Sequence, residues 1–112
     1  MLFTNGTLIL PDRLLAGHLA TDAGRIAAVG AGAAPAAPGA AVIDLAGGYL
    51  APGYVDLHVH GGAGADFMDG TAAAFRTACQ AHARHGTTSL LATSTVARHD
   101  QILAFQIGRA HV

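Results

Sequence analysis

The chain has 112 residues, a formal net charge of −1 and 52% hydrophobic residues, many of them alanine, with two tyrosines and four phenylalanines as its only aromatics. Basic residues are scattered rather than clustered, which argues against nucleic acid or an acidic membrane surface as partner. Cys79 is the sole cysteine, so no internal disulfide forms, and a reducing compartment fits.

Residues 1 to about 50 read as short β-strands joined by tight turns. Leu2 to Leu10 carries Asn5-Gly6 between apolar flanks, a hairpin or bulge signal. His18 to Thr21, Asp22-Ala23-Gly24 and Arg25 to Val29 predict a second hairpin. Gly30 to Ala41 is a Gly/Ala/Pro loop without periodicity, and Val42 to Leu45 and Tyr49-Leu50 resume strand character. The expectation is a small antiparallel sheet. Met1-Leu2-Phe3 lacks a basic region followed by an apolar core, and the apolar stretch from Val29 to Leu50 is broken by Asp44. Neither a secretory signal nor a membrane span is expected, and the localisation read from this is cytoplasmic.

From Tyr54 the pattern changes. Tyr54 to His60 predicts a strand, Gly61 to Gly70 a loop, and Thr71 to His85 a helix with Thr71 or Asp69 as N-cap and Gly86 as its stop. Thr87 to Thr93 is a second strand and Ala97 to Phe105 the start of another helix. Strand, helix, strand in this order is the βαβ unit of an α/β fold. The expected anchors of the core are Leu8, Ile9, Ile26, Val29, Val55, Leu57, Phe67, Phe75, Leu90 and Leu91.

Within the first of these strands, Asp56, His58 and His60 fall on one face by the two-residue period, and Val55, Leu57 and Val59 on the other. Two histidines two residues apart, where a strand enters a glycine loop, can hold one divalent ion through neutral imidazole nitrogens. Two satisfied histidines in a packed strand are the alternative. Every acidic residue is aspartate and every basic residue other than histidine is arginine. Neither a glutamate ligand nor a carboxylated lysine can therefore come from this stretch.

The run Ala51-Pro52-Gly53-Tyr54-Val55-Asp56-Leu57-His58-Val59-His60-Gly61 resembles the first barrel strand of the amidohydrolase superfamily. The continuation through Gly62-Ala63-Gly64-Ala65-Asp66-Phe67-Met68-Asp69-Gly70-Thr71, and then His82 to Thr93, resembles the N-acetylglucosamine-6-phosphate deacetylase family within it. The resemblance covers about residues 1 to 105. It implies the start of a (β/α)8 barrel at residues 52–105, preceded at 1–51 by the N-terminal part of a small β-sandwich domain. It implies a metal-dependent hydrolase that cleaves N-acetylglucosamine 6-phosphate to glucosamine 6-phosphate and acetate, with one or two divalent ions, zinc or iron, and a homodimeric intact enzyme. His58 and His60 carry over as metal ligands. The aspartate that moves the proton, a glutamate ligand and further histidines belong to later strands, so the 112-residue chain is expected to be inactive.

Asp56 reads either as orienting a ligand histidine from behind or as a strand-end hydrogen bond. Gly61 and Gly62 read either as backbone donors close to an anionic substrate or as turn formers. Asp66 and Asp69 are expected to be loop and cap residues, His82 and His85 to lie away from the strand mouth, Thr93 to serve mainly β-propensity, and Cys79 to be a small buried hydrophobe. Ile107 to Val112 matches one reading frame of a widely used sequencing adapter, so residues 106–112, with His111, are expected to be a non-native tail on a truncated chain. The competing expectations are a fragment of another amidohydrolase acting on amides or cyclic amides, and a non-catalytic fragment. Two strands with uncovered edges are expected to fold poorly and to aggregate.

Overall fold

The computed structural model describes the backbone of residues 1–110 and the side chains of residues 1–106. The chain divides into two compact units, Met1–Pro52 and Gly53–Val112. It is a mixed α/β structure consisting mostly of strands. Among the described residues no helix is long and apolar enough to cross a membrane.

The first unit is a five-stranded sheet. Its strands β1 (Leu2–Ile9), β2 (Leu14–Asp22) and β3 (Arg25–Ala31) form an antiparallel meander. The turn between β2 and β3 places Ala23 and Gly24 at φ 46° and 75°, the pair of positive φ values that a two-residue hairpin matching strand twist requires. Asn5-Gly6 makes a bulge, not a hairpin: β1 is continuous, and its register against β2 shifts between Phe3 and Gly6. The sheet is also not purely antiparallel. The short strands β4 (Val42–Asp44) and β5 (Tyr49–Leu50) both lie parallel to β1. The loop between β3 and β4 is long enough to return the chain in the same direction, which the local hairpin signals did not reveal.

In the second unit β6 (Tyr54–Val59) pairs in parallel with β9 (Thr87–Ala92). The crossover holds a small hairpin, β7 (Gly61–Gly62) with β8 (Ala65–Asp66), a single 3-10 turn at Phe67–Asp69, and helix α1 (Ala72–Ala83). A second helix, α2 (His99–Ala110), follows β9. The expected loop at 61–70 is therefore mostly ordered. Its turn residues Ala63 and Gly64 have φ 51° and 79°, the same hairpin chemistry as Ala23-Gly24. Asp66 caps the 3-10 turn by accepting from the Met68 N–H at 2.8 Å, while Asp69 accepts from the Asp66 N–H at 3.0 Å. Thr71 is the N-cap of α1, accepting from the Ala74 N–H. The helix gives way at Arg84, and Gly86, at φ 93°, completes the reversal two residues later.

The core of this unit is a cluster of Val59, Phe67, Phe75, Ala78 and Phe105, with Met68, Cys79, Leu90 and Ala92 packed against it. Phe67 is fully buried and its ring lies 4.4 Å from that of Phe75, centroid to centroid. Four of the ten expected anchors, Leu8, Phe67, Phe75 and Leu90, are buried or pack against the core. Ile9, Ile26, Val29, Val55, Leu57 and Leu91 are exposed, Leu57 at 69%. Residue type marks these positions as apolar, but for Val55, Leu57 and Leu91 a two-stranded sheet with one layer of helix covers only some of its surface, and Ile9, Ile26 and Val29 lie on a single sheet with no helix in its own unit. The expected tail begins inside α2; residues 111 and 112 lie outside the described residues.

Candidate functional site

The end of β6 brings His58 and His60 together. Their Nε2 atoms are 3.1 Å apart and the rings meet edge to face, with centroids 4.9 Å apart. Metal–nitrogen bonds of about 2.0–2.1 Å set two ligand nitrogens about 2.9 Å apart at a right angle and about 3.4 Å apart at the tetrahedral angle. The observed spacing falls between these, so the two imidazoles fit adjacent positions around one ion.

The tautomer of His60 follows from its surroundings. Its Nδ1 lies 3.0 Å from the Thr93 carbonyl oxygen, which only accepts, so Nδ1 carries the proton and Nε2 keeps a free lone pair. With both rings neutral, this tautomer has His58 Nε2–H donating to His60 Nε2.

Thr93 holds the same strand end from three atoms. Its N–H donates to the Val59 carbonyl at 2.8 Å, its Oγ1 accepts from the Val59 N–H at 3.3 Å, and its carbonyl takes the His60 ring. β-propensity alone therefore understates Thr93. Its place near the functional end of its strand was readable, but its partners were not, because the contacts reach back 33 and 34 positions along the chain.

Asp56 does not join the pair through a ring nitrogen. Its Oδ1 accepts from the His58 backbone N–H at 3.1 Å, the strand-end alternative. Register explains the departure from strict alternation. Three steps along β6, from Asp56 to Val59, match two along β9, from Leu90 to Ala92. Such a bulge frees a backbone N–H from the ladder and re-aims the side chains around it. Among the described residues no group of three or more His, Cys, Asp or Glu side chains is placed to hold an ion. The two imidazoles stand as a pair, without a third such side chain beside them among the described residues.

Gly61 and Gly62 are close-packed. A Cβ on Gly61 would collide with the Ala65 carbonyl oxygen, and one on Gly62 would lie 3.1 Å from His82 Nε2. The hairpin explains the first glycine and the helix the second. His82, expected away from the strand mouth, instead reaches it, with Nε2 2.9 Å from the Gly61 carbonyl oxygen. The folded-back hairpin is what puts Gly61 opposite it.

No protein-family model matches the chain. A stretch of 53 residues, 47% of this chain, is 42% identical to N-acetylglucosamine-6-phosphate deacetylase from Bacillus subtilis (strain 168) and covers 13% of it. The crystal structure of N-acetyl-D-glucosamine-6-phosphate deacetylase from Mycobacterium smegmatis superposes with a TM-score of 0.84 at 36% identity, over 98% of this chain and 31% of that one. A mutant of that enzyme in complex with N-acetyl-D-glucosamine-6-phosphate gives 0.82 at 36% identity, over 98% of this chain and 28% of that one. These relatives are deacetylases, and the chain spans less than a third of their length. Sequence relative and solved structures share one name, N-acetylglucosamine-6-phosphate deacetylase, and this chain matches a fragment of that protein.

Proposed function

We propose that this chain is a piece of a metal-dependent deacetylase of the amidohydrolase superfamily, and that its parent hydrolyses N-acetylglucosamine 6-phosphate to glucosamine 6-phosphate and acetate. The observation that carries the reading is the convergence of His58 and His60 Nε2 at 3.1 Å, with the His60 tautomer set by Thr93. In this reading residues 52–105 open a (β/α)8 barrel, 1–51 belong to a small β-sandwich domain, and 106–112 are a non-native tail. His58 and His60 hold one zinc or iron ion, the parent carrying one or two. Asp56 acts indirectly by tying the His58 backbone. A divalent ion bound there supplies a polarised water and a Lewis acid for the amide carbonyl.

The histidines present neutral imidazole nitrogens, Thr93 fixes one of them, and Gly61-Gly62 keep the strand exit narrow. A backbone N–H of Gly61 or Gly62 facing the substrate phosphate or amide is a further element of the reading. The solved complex with N-acetyl-D-glucosamine-6-phosphate supports an amino-sugar phosphate as substrate. The resemblance alone supports a cytoplasmic, homodimeric parent. Because the chain has no glutamate and two imidazoles are an incomplete ligand set, the 112-residue chain is itself inactive. Zinc titration against a chromophoric chelator tests the ligand assignment. His58→Ala and His60→Ala should each weaken binding by at least about tenfold, and unchanged binding in either refutes the site. Acetate release from N-acetylglucosamine 6-phosphate by the pure chain should be at background, and turnover abolished by His58→Ala would refute the inactivity.

A further inference from the structure

His82 is the one side chain of α1 that, among the described residues, hydrogen-bonds outside the helix. It sits half-buried in the last turn of α1, whose position is fixed by Phe75 and Ala78 in the aromatic core. Its acceptor, the Gly61 carbonyl, belongs to the residue that directly follows His60. Two other ties act on the same few atoms: the His60 carbonyl accepts from the Phe67 N–H at 2.8 Å, and Gly61-Gly62 pair with Asp66 and Ala65. The hairpin is only two residues long on each side, too short to hold its own angle, since isolated hairpins are marginal in water. A rigid donor from the helix supplies what the hairpin lacks.

Gly62 belongs to the same device. A Cβ at this position would stand 3.1 Å from His82 Nε2 and 3.4 Å from Ala81 Cβ, tight enough to push the imidazole away from its acceptor. The absence of a side chain at 62 and the imidazole at 82 are complementary.

We propose that His82 is a positioning residue: by donating from Nε2 to the Gly61 carbonyl it locks the backbone behind His60 and so holds the His58–His60 pair at ligand spacing. The inference rests on the metal reading of that pair but assigns a residue which that reading does not use. Its effect is indirect, through one backbone segment, and does not require His82 to touch the ion.

Three substitutions separate the donor from the bulk. His82→Leu keeps volume and removes the N–H; His82→Gln places an amide N–H at similar reach; Gly62→Ala keeps the imidazole and crowds it. The probe is Zn²⁺ titrated into the 112-residue chain, with amide hydrogen exchange of the metal-free chain as the second readout and His99→Leu as a control for adventitious binding by a surface histidine. His82→Leu should weaken zinc binding by about tenfold, the low end for loss of an outer partner, with His82→Gln restoring it and Gly62→Ala falling between. Exchange at the Phe67 amide, which bonds to the His60 carbonyl, should rise in the leucine variant and return in the glutamine one. Zinc binding by His82→Leu equal to that of the unaltered chain overturns the proposal. If the unaltered chain binds no zinc, it is the metal reading that fails. The exchange data then decide whether His82 fixes the strand exit at all: unaltered exchange at the Phe67 amide in His82→Leu overturns that as well.

Discussion

The two units are held together in different ways. In Met1–Pro52 the order comes from backbone pairing: β1 pairs with three other strands, and Leu2 and Leu8 are its only buried large side chains among the described residues. In the second unit two parallel strands contribute little ladder, and the order comes from side chains, through the Val59–Phe67–Phe75–Ala78–Phe105 cluster. Hydrogen-bonded pairing between neighbouring segments follows local rules of turn and alternation. A cluster drawn from a strand, a 3-10 turn and two helices forms only when the whole crossover closes. The candidate site lies in the unit that depends on such closure.

Phe67→Ala should give the largest effect and tests the contrast most directly. It removes a fully buried ring and should cost about 3–5 kcal/mol. Hydrogen exchange should accelerate at Val59 and Thr93 while the amides of Thr7 and Leu8 in β1 keep their protection. Equal loss in both units would mean that they unfold as one block, and the contrast would collapse.

A smaller effect is expected from Thr71→Ala, which deletes the cap of α1 and should cost about 1 kcal/mol. Faster exchange at the Ala74 and Phe75 amides, with β1 to β3 unaffected, would show that the helix is separately adjustable. No change at Ala74 would show that packing alone holds the helix start.

The smallest effect concerns the first unit and acid. The Asp44 carboxylate accepts from the Ala46 N–H at 2.8 Å and from the Asn5 side chain at 2.9 Å, and these bonds lower its pKa below the ordinary 3.8. A lowered folded-state pKa stabilises the folded form fully above the unfolded pKa, and that contribution is lost as pH falls through the folded value. The Ala46 amide resonance should therefore stay constant above about pH 5 and shift only below the ordinary carboxylate value. An inflection above 3.8 would reverse the sign of the effect.

Much of the fold could be read from local chemistry. The Ala23-Gly24 turn, the Thr71 cap, the strands at 54–60 and 87–93 and the pairing of His58 with His60 each depend on residues within a few positions of one another. The parallel placement of β4 and β5 was not readable, because nothing local to Val42 or Tyr49 says which way β1 runs beside it. Exposure of Val55, Leu57 and Leu91 was not readable either, because side-chain type records a tendency to be covered but not whether a cover is present.

What the sequence determined by itself, then, is the local grammar of turns, caps and alternation, and with it the imidazole pair at the end of β6. Only the tertiary structure decided how that pair is held. The Thr93 contacts span 33 and 34 residues and the His82 contact spans 21. Partners that far apart in the chain are chosen by where the crossover folds back, a property of packing that no single segment carries.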